Sequence, residues 1–198
     1  MGLTLQYGEG QTPLDIDEKE GLLISTIATR GELDEFEQQN IEDAIQWVMS
    51  RRFTASQVFS EDFVKALHKR MYGKVWRWAG SFRLTNKNLG TDKWQIAIDL
   101  RQLLDDCLYW HENGAVAGDE LAIRFKHRIV SIHCFPNGDG RHSRLMADII
   151  AEKILGLPVY TWGAGDLVAD SETRAAYLRA VRAADRGDYG PLLIFARS

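Results

Sequence analysis

The densest chemistry in the chain lies in twelve residues, His133-Cys134-Phe135-Pro136-Asn137-Gly138-Asp139-Gly140-Arg141-His142-Ser143-Arg144. Gly138 and Gly140 permit backbone conformations that turn consecutive N–H groups into one concavity. A helix starting there would add its free N–H groups and the positive end of its dipole, which together make an anion site suited to phosphate. Arg141 and Arg144 stand at i and i+3, so both guanidinium groups can lie on one side of the first turn and grip phosphate oxygens. His133 would stand beside a bound phosphate. An imidazole titrates near neutrality and can serve as a general base. A Gly-x-Gly turn, two first-turn arginines or a lone histidine each have ordinary structural explanations. Their convergence within twelve residues does not.

Helices must hold this segment. Leu121, Phe125, Ile129 and Ile132 form an apolar stripe before it, opened by Gly118-Asp119, and Pro136 should end that helix. A second helix runs from about Arg141 to Leu155 and stops at Gly156 and Pro158. Further stripes are Ile41, Ala44, Ile45 and Val48, with Asp34 as N-cap, and Phe63, Leu67 and Met71, capped by Ser60. Two more are Leu100, Leu103, Leu104, Cys107 and Leu108 after Asp99, and Tyr177, Val181 and Ala184 in a final helix over Ser171 to Ala184. Residues 1–15, with four Gly or Pro, read as a loose arm. Trp94, Ile96 and Ile98 alternate with Gln95 and Ala97, which predicts a small β-hairpin around Asn88-Leu89-Gly90. The expected fold is all-α, a bundle of six or more helices with one inserted hairpin.

Composition limits the function classes. With 45% hydrophobic and 26% charged residues, the 198-residue chain can bury a core, which suits one domain with a short appendage. A net charge of −4 argues against non-specific nucleic-acid binding. Cys107 and Cys134 form no disulfide framework, and His127, His133, Cys134 and His142 fit no common zinc spacing. No signal peptide and no apolar run of membrane length is apparent, so cytoplasm is the expected compartment.

The segment resembles the signature H-P-F-x-[D/E]-G-N-G-R-x-x-R of the Fic family, with His133, Phe135, Gly138, Gly140, Arg141 and Arg144 in register. The resemblance covers roughly residues 40–195, including the hairpin near 82–98 and the closing Ala184-Asp185-Arg186-Gly187-Asp188-Tyr189. It extends to a bacterial subgroup associated with mobile elements, "mobile mystery protein B". The division implied is an N-terminal arm over 1–35 and a Fic domain over 36–198. The resemblance implies a protein adenylyltransferase that moves AMP from ATP, with Mg²⁺, to a Ser, Thr or Tyr hydroxyl of a target protein. In that reading His133 deprotonates the hydroxyl and Phe135 anchors the loop. Asn137, Gly138, Asp139 and Gly140 cradle nucleotide and metal. Arg141 and Arg144 neutralise the β- and γ-phosphates. Lys93, Trp94, Gln95, Ile96 and Ala97 form the flap strand against which an extended target segment docks.

Three positions depart from the signature. Cys134 replaces the Pro, Asn137 the acid that holds Mg²⁺, and Asp139 the Asn. The acid has moved two places, so either Asp139 takes over the metal or nucleotide binding is weakened. Many relatives also carry an inhibitory helix, [S/T]-x-x-x-E-[G/N]. Ile16 to Glu20-Gly21 matches it only in the Glu-Gly, which makes Glu20 the expected partner of Arg144 and an antitoxin-like or self-regulatory element the expected regulator. Transfer of another phosphate-bearing group, or a non-catalytic nucleotide- or partner-binding module, are the alternatives.

Overall fold

The computed structural model describes residues 12–164 and 172–198. It is all-α, with nine α-helices among the described residues: α1 (Ile16–Lys19), α2 (Arg30–Met49), α3 (Ala55–Val58), α4 (Glu61–Tyr72), α5 (Ile96–Asn113), α6 (Gly118–Ile132), α7 (Asp139–Ile149), α8 (Glu172–Ala184) and α9 (Gly190–Arg197). A π-helical turn, Ile150–Ile154, continues α7. Helix α6 is central and packs on α5, α7 and α9. Leu121, Phe125, Ile129 and Ile132 are buried along it, joined by Ala122 and Ile123, so α6 is apolar over much more than one stripe. Burial on several sides fixes the position of its C-terminal end, where His133 follows.

Local chemistry accounts for the helix starts. The Ser60 hydroxyl accepts the Phe63 N–H at 3.2 Å and opens α4. Helix α2 starts earlier than its stripe suggests. Thr29 and Glu32 form a reciprocal capping box there, and Asp34 lies inside the helix, paired with Arg30. Helix α9 had no counterpart in the sequence reading. Ser171, the expected start of α8, lies outside the described residues.

The hairpin is absent. Among the described residues there is no strand, only an isolated bridge between Leu22 and Trp76. Lys93 to Gln95 form a turn, and Ile96 and Ala97 begin α5. The alternation of Trp94, Ile96 and Ile98 is not matched in exposure, since Ile96 is buried while Trp94, Gln95, Ala97 and Ile98 are all exposed. Ile96 starts the helical stripe that continues through Leu100, Leu103, Leu104 and Cys107, and that longer period wins. Side chains satisfy the loop's backbone in place of a strand ladder. Asn86 Oδ1 accepts the Lys93 N–H at 2.8 Å, Lys93 Nζ donates to Leu84 O at 2.9 Å, and Asp92 Oδ1 accepts the Trp94 N–H at 2.9 Å.

Candidate active site

Helix α6 ends at His133, whose φ of 56° is left-handed. That conformation usually falls to glycine at a helix C-terminus and disfavours a side chain by about 1 kcal/mol or more. The surroundings over-determine it. The His133 N–H donates to Ile129 O at 3.2 Å, and Arg83 Nε donates to His133 O at 2.6 Å. Arg83, 2% exposed, also donates from Nη1 to Thr85 O at 2.8 Å and from Nη2 to Thr91 O. Backbone bonds from Arg83 N to Cys134 O (3.0 Å) and from Thr91 N to Ile132 O (3.2 Å) strap the loop between them to both sides of His133. Gly90 marks the closest approach. Its φ is +100°, and an added Cβ would lie 2.6 Å from His133 Cβ.

The turn after His133 rests on buried aromatics. Phe135 is fully buried and stacks on His68, with ring centroids 3.7 Å apart. His68 Nδ1 accepts the Gly80 N–H at 3.0 Å, so its proton sits on Nε2, which donates to Asn137 O at 3.0 Å. Burial, with His142 nearby, holds the His68 ring well below the usual imidazole range, in the neutral form that this arrangement needs. Gly138 has φ +88° and lies against Tyr72, where a Cβ would come within 2.6 Å of the ring. Helix α7 begins at the next residue. The His142 N–H closes its first turn on Gly138 O at 2.9 Å, and the N–H groups ahead of it have no intrahelical acceptor. His142 donates from Nε2 to Val64 O at 3.0 Å, and burial pushes its pKa down to about 4. It is a structural residue.

The two arginines differ. Arg141 Nη2 pairs with Glu37 Oε2 of α2 at 2.6 Å, and its guanidinium carbon lies 5.2 Å from the Tyr72 ring centroid. Glu37 is 3% exposed and also accepts the Trp76 indole N–H at 2.6 Å. Arg144 lies over Tyr177 of α8 at 5.8 Å, and the same ring carries the buried Lys126 ammonium at 4.5 Å.

The expected metal pair, Asn137 and Asp139, does not assemble. Asn137 Nδ2 is directed at Thr12 O, 3.5 Å away. Asp139 is 4% exposed and turned beneath the loop. Its Oδ1 accepts the Phe135 N–H at 3.2 Å, and its Oδ2 lies 3.5 Å from His133 Nε2. Among the described residues no group of three or more His, Cys, Asp or Glu is arranged to hold a metal ion. With Asn137 turned to Thr12 and Asp139 engaged beneath the loop, these two residues as placed do not fit the Mg²⁺ role that the shifted acid suggested. Burial pushes the Asp139 carboxyl above its ordinary range, against the opposing pull of the His133 ring.

Glu20 is exposed at the end of α1 and has no side-chain partner among the described residues, so it does not pair with Arg144. Helix α1 has four residues. Glu18 and Asp15 hold it to the loop through Lys87, at 2.5 and 2.8 Å. The buried acid that reaches Arg141 after the Gly138 turn is Glu37. Its sequence signal was a carboxylate in register with Leu33, Ile41, Ala44 and Val48, all buried. Arg83 had no comparable signal. Lys93, Gln95 and Ala97 lie on the surface beside the exposed Trp94, and Ile96 is in the core.

The arrangement joins an imidazole, a glycine-opened helix N-terminus and two guanidinium groups, one of them held by a buried carboxylate. It can seat an anionic phosphate group and take a proton next to it. Structural comparison finds the same fold. Fic-1 from C. elegans superposes with a TM-score of 0.64 at 20% identity, over 90% of this chain and 51% of that one, so the chain spans about half of its length. BepC of Bartonella tribocorum, solved with AMPPNP, gives 0.63 at 17% identity over 92% and 97% of the two chains. A putative cell filamentation protein of Bartonella quintana, solved with ADP, gives 0.62 at 16% identity over 87% and 86%. No curated protein matches the sequence. Residues 58–151, which hold α4 to α7 and the Gly138 turn, match the model of the Fic/DOC family.

Proposed function

We propose that the chain is a protein adenylyltransferase. His133 removes the proton from a Ser, Thr or Tyr hydroxyl of a target protein. That oxygen attacks the α-phosphate of ATP, the bond to the bridging oxygen breaks, and pyrophosphate leaves. Support comes from one juxtaposition. His133 is held in a fixed backbone conformation next to the Gly138 turn, where the free N–H groups of α7 begin. The N–H groups receive the phosphates, and Arg144 and a released Arg141 balance the charge on the departing diphosphate. The AMPPNP and ADP of the two Bartonella structures are consistent with a nucleotide in this position. The target segment docks beside the loop of residues 83–94, where Leu84, Leu89 and Trp94 are exposed. The subgroup likeness to proteins of mobile elements, a bacterial origin and a cytoplasmic setting belong to the same proposal.

Incubation with α- or γ-labelled ATP and a lysate as the source of target proteins tests it. The α-label should be retained and the γ-label lost. His133→Ala should lower labelling by about 10²–10⁴-fold, the usual worth of a general base, with nucleotide binding preserved. Retention of the γ-label, or undiminished labelling by the variant, would refute the assignment.

A further inference from the structure

We infer that Asp139 is the positioning partner of His133 and not a ligand of the metal ion that a nucleotide would bring; the inference rests on the reading of His133 as the base. The geometry is specific. Asp139 Oδ2 and His133 Nε2 are 3.5 Å apart, and both atoms are sealed from solvent with no hydrogen-bond partner. A sealed polar atom without a partner disfavours the fold. Here each atom is the nearest available partner of the other, and an approach of a few tenths of an ångström makes an N–H···O bond. Oδ1 is already engaged by the Phe135 N–H, so the carboxylate cannot swing out toward the loop surface without leaving that donor unsatisfied. The raised pKa of the carboxyl agrees with a buried group facing inward.

The direction of this contact decides which ring nitrogen works. A carboxylate accepts, so Nε2 must carry a proton and donate it. Nδ1 is not among the sealed, unpartnered atoms and has no protein partner among the described residues. It is left as the nitrogen with a lone pair, able to take the hydroxyl proton. A carboxylate behind an imidazole fixes the ring and its tautomer and stabilises the imidazolium that forms on proton abstraction. The Asn that the signature ordinarily has here would keep its oxygen on Phe135 N–H and place an amide donor against Nε2. That reverses the contact and moves the ring proton to Nδ1. The exchange of Asn for Asp thus changes the chemistry that His133 presents, and the fold is retained.

Side-chain ¹⁵N NMR of the full chain, at about pH 8 and above the ordinary imidazole range, tests the inference. The wild type should show a proton bound to His133 Nε2. Asp139→Asn should move it to Nδ1. Isothermal titration with ATP, with and without Mg²⁺, should show the metal strengthening binding by the same factor in both proteins, within about twofold. The inference is overturned by an unprotonated Nε2 in the wild type, by an unchanged tautomer in the variant, or by a Mg²⁺ effect about tenfold smaller in the variant. The wild-type spectrum decides without any variant having to fold. Absence of nucleotide binding would refute the transferase assignment and leave the Nε2 proton where it is, so the two failures are distinguishable.

Discussion

Replacing Glu37 with Gln should make the protein less stable and a better nucleotide binder at once. Glu37 accepts two bonds of 2.6 Å, from the Trp76 indole and the Arg141 guanidinium. A glutamine can keep its amide oxygen on Trp76. Its NH₂ then faces Arg141 and cannot accept. A bond to a charged group contributes about 1.5–3 kcal/mol, and removing one partner of a fully buried pair costs about 3–5 kcal/mol. The Arg141 side chain keeps 22% exposure, so water takes over part of the lost contact. About 2 kcal/mol is the reasonable figure, equal to roughly 4–8 °C in Tm for a chain of this size. The same carboxylate competes with phosphate for Arg141, so its loss should strengthen ATP binding by about 10–100-fold, at 1.4 kcal/mol per factor of ten. Thermal unfolding and calorimetry on the same samples read both effects. A fall in Tm with unchanged ATP affinity would refute the reasoning, because Glu37 would then be a structural acid whose guanidinium partner never meets the nucleotide.

Gly90→Ala should displace the loop over His133, since its Cβ would sit 2.6 Å from His133 Cβ at a φ of +100°. A loss of about 1–3 kcal/mol in stability and a larger loss of labelling are expected. Denaturant titration and the α-label assay measure them, and normal labelling would show that the loop tolerates the shift. The acid limb of stability should depend on His142. Burial lowers its folded pKa from 6.5 to about 4, so above about pH 6.5 the neutral ring contributes no pH dependence. Below that the unfolded chain takes up a proton that the folded one refuses, and stability falls until about pH 4, by about 3 kcal/mol in all. Urea midpoints of the wild type and His142→Gln should differ in slope by about one proton across that window, and parallel curves would contradict the assignment.

Much of the site was readable before any coordinates. Gly138, Gly140, the two arginines and His133 mark a candidate anion site because a glycine turn, a helix start and guanidinium chemistry are properties of neighbouring residues, and the structure places the left-handed turn at Gly138. The Ser60 cap was legible for the same reason. Reading failed where two local signals competed. The period-two run Trp94, Ile96, Ile98 was outweighed by the helical stripe that begins at Ile96, and Asp34 was outranked as a cap by the reciprocal pair Thr29 and Glu32.

Sequence alone determined the helical class, the position of the turn and the identity of the candidate groups around it, since each depends on contacts within a few residues. Only the tertiary structure decided the states of those groups. Glu37 reaches Arg141 across 104 positions, Arg83 reaches His133 across 50, and His68 supports Asn137 across 69. The inward turn of Asp139 likewise follows from the fully buried Phe135, which pulls the loop down onto His68. A buried charge or ring takes its ionisation and hydrogen-bond sense from whatever the packed core sets against it, and the packing partners here come from distant parts of the chain.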